Sequence, residues 1–308
     1  MKKLTKLLLT GILTLAGTLG GGYFSDHQSK RNNPIQIQEV TQANKKLRDF
    51  PEKIKGAKSI TKYETPGAKY TLVHLRQTHY VDMGEELSLE NIIKDDIGYW
   101  NKIKDIYTKI NNCQKDIYDI LTELRENQNV SNIRSEGVMV RDFDNLNNKE
   151  ALKNEYFSKL AELDKKNYFP ESIESCFRTM NHLEKYVKAN KPAPFSTTEK
   201  TLKDYNNAKQ NFEKFKYIAG SDFLLAIEDK LNILPAETLE AYDTNDNNIR
   251  EYALLEIISK NNNPLELTVY GAKHNFKDNI KKWNKENPNK KYSLIEITPE
   301  NLYSNKNK

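Results

Sequence analysis

The stretch Leu265-Glu266-Leu267-Thr268-Val269-Tyr270-Gly271-Ala272-Lys273-His274-Asn275-Phe276 decides the fold. A short apolar run rich in β-formers stops at a Gly, a His follows three residues later, and helical spacing then begins. That order is a strand, a tight turn and a helix, with an imidazole at the turn. Tyr70-Thr71-Leu72-Val73-His74-Leu75-Arg76-Gln77-Thr78-His79 has a similar plan. Both runs are mostly apolar rather than alternating, the pattern of strands covered on two faces. Two strands that each deliver a His from the carboxyl end predict one site built from distant parts of the chain.

Outward from these strands, Ser59 to Glu64 reads as a short strand, and Thr65-Pro66-Gly67 as the turn into Tyr70–Gln77. Ser88 is a candidate N-cap for a long amphipathic helix running from Ile92 through Ile106, Ile110, Cys113, Ile117, Leu121 and Leu124, to end near Asn127. A second buried strand, Asn129–Ser135, ends at Glu136-Gly137. Residues 149–166, 171–190 and 197–217 carry helical periodicity, with Pro170, Pro192 and Pro194 separating the later two from their neighbours. Asp222–Glu228 and Leu231–Leu234, joined by Asp229-Lys230, read as a hairpin closed by Pro235. Ala236 to Lys260 is helical in character with a polar middle at 243–248. Phe276–Asn284 is a helix and Tyr292–Thr298 a closing strand. The expected fold class is α/β: one domain, 59–299, with a central mixed, largely parallel sheet flanked by helices and a helix-rich insertion at about 149–217.

Ahead of this domain, Lys2, Lys3 and Lys6 precede an apolar run from Leu7 to Leu19, and Gly20-Gly21-Gly22 follows. Residues 1–22 therefore read as a secretory signal peptide, short for a span of roughly 20 apolar residues. An uncleaved segment is the rival, and it would be the chain's one membrane contact. Without these residues the formal net charge falls from +5 to about +2, which leaves no electrostatic argument for nucleic acid. Residues 23–58 read as a polar tether and 300–308 as a tail. The chain is expected to be exported: secreted, periplasmic or at the cell surface. Cys113 and Cys176 leave open a disulfide or two buried thiols.

In open α/β sheets ligands bind at the carboxyl ends of strands. His79, Glu136 and His274 are all placed just past such ends. Two imidazoles and a carboxylate can hold a divalent metal with an open position. They can also act without one, as general base on a water and general acid. Arg76 could grip a carboxylate or phosphate through its planar fork, or pair with Glu136 or another acid. His74, inside its strand, reads as a core residue. Asn275 and Asp278 read as helix-capping groups. No Gly-rich phosphate loop, GxSxG elbow or Cys nucleophile context occurs.

Arg76-Gln77-Thr78-His79, Glu136-Gly137-Val138 and Gly271-Ala272-Lys273-His274 resemble the spaced signatures of the TraB/Tiki superfamily: paired Gly-x-x-His motifs and an intervening Glu. The segments at 223–234 and 292–299 also look like the C-terminal half of such proteins. Arg76 stands where the family has Gly, and Gln77 where some members have Glu. The resemblance implies an exported hydrolase cutting a peptide or ester bond in a peptide or small-molecule substrate. His79, Glu136 and His274 would form the site and hold a divalent metal if one is used, while Arg76 steadies substrate or a developing anion. Through ChaN-like members it also implies an alternative, a non-catalytic binding protein for haem or a peptide.

Overall fold

The computed structural model describes residues 45, 47–78, 96–140, 148–165, 173–244 and 246–302. Residues 1–22, Ser88 and His79 lie outside these, and so do the structural expectations attached to them.

The expected α/β domain is present. Six strands form one sheet in the order β1-β6-β2-β5-β3-β4: β1 is Ala57–Tyr63, β2 Tyr70–Gln77, β3 Asn132–Met139, β4 Asn232–Glu237, β5 Leu265–Gly271 and β6 Tyr292–Pro299. Every neighbouring pair is parallel except β1 with β6. The helices are α1 (Asp96–Gln128), α2 (Lys149–Lys165), α3 (Ile173–Lys188), α4 (Thr198–Phe215), α5 (Ser221–Ile227), α6 (Leu239–Asp243), α7 (Asn247–Ser259) and α8 (Phe276–Glu286). No helix among the described residues is long and apolar enough to cross a membrane.

The period-2 alternation of each central strand divides the core in two. Val73, Leu75, Ile133, Leu267, Val269, Ile295 and Ile297 pack with apolar residues of α1 and of the helices from α2 to α5. Tyr70, Leu72, Tyr270, Tyr292 and Leu294 pack instead with Leu254, Leu255 and Ile258 of α7 and Phe276, Ile280 and Trp283 of α8. Both faces are covered, which explains the unbroken apolar runs of β2 and β5.

Four segments differ from their sequence reading. The strand read as Asn129–Ser135 is Asn132–Met139, so Glu136 lies within β3 rather than past its end. The hairpin at 222–234 is instead a helix followed by a strand. Ser221–Ile227 is helical, Asp229 turns the chain at φ 58°, and Lys230 N–H closes onto Leu225 O. The following strand, β4, pairs in parallel with β3, so the apolar run 223–226 is a buried helix, a case that a short run cannot distinguish from a strand. Pro235 lies within β4 rather than ending it, and β4 is an edge strand, where a missing N–H is tolerated. The helix expected from Ala236 begins after β4 and breaks at the polar segment into α6 and α7.

At the ends of the domain, Leu47, Phe50 and Ile54, within the stretch read as tether, are buried in the core. Asn301, within the tail, donates its backbone N–H to Asp116 Oδ2 at 2.7 Å. Cys113 and Cys176 are both free and buried.

Candidate active site

β3 and β5 are direct neighbours, and their carboxyl ends bring Glu136 and His274 together. His274 follows a turn in which its own N–H bonds to Gly271 O at 3.1 Å, while Ala272 N–H bonds to Gln77 O at 2.8 Å. The turn is thereby fixed to the end of β2 as well as β5. His274 donates from Nε2 to Glu136 Oε1 at 3.3 Å and from Nδ1 to Glu251 Oε1 at 3.0 Å. Glu136 Oε2 accepts the Gly271 N–H at 2.6 Å. Two of the three residues singled out from sequence thus share one site, and the third, His79, is outside the described residues.

The rest of the network comes from α7 and β4. Arg250 reaches Glu136 Oε1 with Nη2 at 2.7 Å, and Glu237 Oε1 with Nη2 at 2.5 Å and Nε at 2.7 Å. Glu237 also accepts from the Tyr270 hydroxyl at 3.0 Å and from Gly137 N–H at 3.1 Å. Glu251 accepts from Asn275 N–H at 2.8 Å and Asn279 Nδ2 at 2.7 Å. Three carboxylates therefore face one guanidinium and one imidazole in a site shielded from water.

Burial disfavours a charged imidazole, but the hydrogen bonds and charges of Glu136 and Glu251 outweigh it and push His274 up to about 9. His274 is a cation at neutral pH. Burial, followed by the charges of Glu237 and Glu136, holds the Tyr270 phenol well above its ordinary range, so it stays a donor.

Arg76 is placed differently from the two groups it was expected to accompany. It shares a strand face with His74, and its Nη2 donates to Ala272 O at 2.6 Å. It grips the turn that carries His274, and the arginine on Glu136 is Arg250. His74 is fully buried, as a core residue, with its ring edge-on to Phe276 at 4.8 Å. Asn275 occupies the N-cap position of α8 without a side-chain capping bond, and its amide instead meets Asp278 Oδ2 at 2.8 Å.

Arg250, Glu251 and Glu237 were not singled out from sequence. A signal for Glu251 does exist: it precedes Leu254, Leu255 and Ile258 by three, four and seven positions, which puts a carboxylate on the apolar face of α7. A charged residue at such a position needs a buried partner. Arg250 and Glu237 carry no comparable periodic signal.

Among the described residues no group of three or more His, Cys, Asp and Glu is arranged to hold a metal ion. Both ring nitrogens of His274 are held by carboxylates. The described donor set does not fit a metal.

No family model matches the chain, and the comparisons with curated proteins and with solved structures found no match either. The class of protein is therefore defined by the fold and site alone: an α/β protein with a buried His–carboxylate cluster at the carboxyl edge of its parallel sheet.

Proposed function

We propose that the protein is an exported hydrolase of the TraB/Tiki type that cleaves a peptide or ester bond, with Glu136 and His274 as the reacting pair. The observation that carries this reading is the contact between them, 3.3 Å, near the carboxyl ends of β3 and β5. Export rests on the signal-like pattern of residues 1–22.

The charge state of the site assigns the roles. His274 carries a proton at neutral pH and hands it to the departing amine or alkoxide. Glu136 orients a water and accepts its proton as the water adds to the carbonyl. Proton transfer from Glu136 to His274 then restores the site. Arg250 keeps Glu136 in place, Glu251 fixes the imidazole, and Arg76 holds the turn between them.

The test is turnover of aryl esters and of a mixed peptide library by the purified full chain, with Glu136→Gln and His274→Gln beside it. Turnover is expected to fall by about 10²–10⁴ in each variant. Unchanged turnover in either variant would overturn the assignment. Activity that appears only with added zinc or manganese, and is lost in His79→Ala, would replace it with the metal-dependent version. A Soret shift on adding haem, with no turnover, would favour the binding protein.

A further inference from the structure

On the face of the sheet that carries α1 and α5, a cavity of about 70 Å³ lies against the carboxyl ends of β2 and β3. Gln77, Ser135 and Glu136 line it from the sheet, with Gln114 of α1 and Gly220 and Asp222 at the entry to α5. Sites that enclose a whole ligand run to roughly 300–1,000 Å³. This one takes a group of a few heavy atoms, the end of a substrate whose bulk stays outside.

Its polar groups are unevenly satisfied. Asp222 is only 4% exposed, yet no Lys, Arg or His among the described residues forms an ion pair with it. Its Oδ2 accepts from the Ser135 hydroxyl. Its Oδ1 sits beside Gly220, where a Cβ would come within 2.8 Å, and no donor among the described residues reaches it. Gly220 is also at φ +118°, so a side chain there would be strained as well as obstructive. The lining cation, Lys159, rests over the Phe223 ring at 3.8 Å. Glu136 and Glu237, by contrast, share Arg250.

Gln77 is the second uneven group. Its Oε1 accepts from Gln114 Nε2 at 3.2 Å, and Gln114 Oε1 in turn accepts the Ser221 N–H at 3.1 Å. These bonds fix the orientation of Gln77 and leave its own amide N–H groups without an acceptor among the described residues. The cavity therefore offers an anionic acceptor and a neutral donor side by side.

We propose that this cavity is a subsite for a primary ammonium group next to a carbonyl, such as the amino end of a peptide or an amino-acid amide, with Asp222 as counter-ion and Gln77 donating to the carbonyl oxygen. The inference rests on the hydrolase reading for its consequence: Glu136, one member of the proposed reacting pair, borders the same cavity. The small volume favours Gly or Ala at that end over bulky residues.

The test is calorimetric titration of the full chain with glycinamide and with N-acetylglycinamide, which lacks the charge. Glycinamide is expected to bind the wild type at least about tenfold more tightly than the acetylated amide, and Asp222→Asn to lose that preference. Ser135→Ala keeps the carboxylate and should keep the preference. His274→Gln should bind glycinamide as the wild type does, because binding does not need the reaction. No glycinamide binding, equal binding of the two amides, or an undiminished preference in Asp222→Asn would overturn the subsite. If Asp222→Asn does not fold, the two amides on the wild type decide the matter alone. Asp222-dependent binding without turnover would keep the subsite and remove the hydrolase.

Discussion

The two buried histidines beside Phe276 have opposite electrostatic fates. His74, in β2, and His274, after β5, both lie in ring contact with that side chain, with centroids 4.8 and 6.2 Å away. Both are almost wholly shielded from solvent. At His74 burial dominates and lowers the pKa below its ordinary value, because its nearest carboxylate, Glu296, stays 3.7 Å from Nδ1. At His274 two carboxylates lie at 3.0 and 3.3 Å, one on each nitrogen, and the pKa is pushed up to about 9. Burial alone therefore decides neither case: the number and closeness of carboxylates on the ring settle whether a core histidine is a neutral packing group or a cation held for use.

The largest effect expected from breaking this contrast is the loss of turnover by about 10²–10⁴ in Glu136→Gln or His274→Gln, read by steady-state kinetics. Next in size is Arg250→Ala, which strands Glu136 and Glu237 together without their shared cation. A loss of about 3–5 kcal/mol is expected in urea unfolding, and a loss near zero would show that the two carboxylates find another partner.

Glu251→Gln should move His274 toward the behaviour of His74. The imidazole pKa is expected to fall from about 9 toward the ordinary range, as followed by NMR titration of the ring protons. The linkage has a definite sign. A histidine raised in the folded state adds stability fully below its unfolded pKa of about 6.5 and loses it as pH rises through about 9. The wild type should therefore lose more stability between pH 6 and pH 9.5 than Glu251→Gln does. An equal loss in the two proteins would remove Glu251 as a cause.

The smallest effect is expected at His74. Its Nδ1 has no hydrogen bond and its Nε2 meets only Tyr270 O, at a long 3.4 Å, so His74→Leu sacrifices little polar pairing and should change stability by less than about 1.5 kcal/mol. Its pH profile should match the wild type above pH 6.5.

Much of the scaffold was legible because apolar patterning reports exposure directly. The near-continuous runs at 70–77 and 265–271, rich in β-formers, read as strands covered on both faces, and the spacing from Ile106 to Leu124 as one side of a long helix. The helix Ser221–Ile227 was not legible, since six of its residues are buried and a run buried all round has no period to read. The pairing of β4 with β3 was equally hidden, because 92 residues lie between Met139 at the end of β3 and Asn232 at the start of β4, and no local signal spans that distance.

The candidate site divides in the same way. His274 could be marked because it follows β5, and Glu136 because the apolar run before it was read as stopping at Ser135, although β3 runs on to Met139 and holds Glu136 within it. Arg250 and Glu237, and the Ser135–Asp222 pair, belong to the site only because β4, α5 and α7 fold back over the ends of β3 and β5. The sequence by itself determined which residues are apolar, where the strands at 70–77 and 265–271 lie, and that a His follows the second of them. The tertiary structure decided which charges meet, and with them that His274 is a cation and that no described cation pairs with Asp222, because Coulomb and hydrogen-bond terms act over a few ångströms in space and are indifferent to separation along the chain.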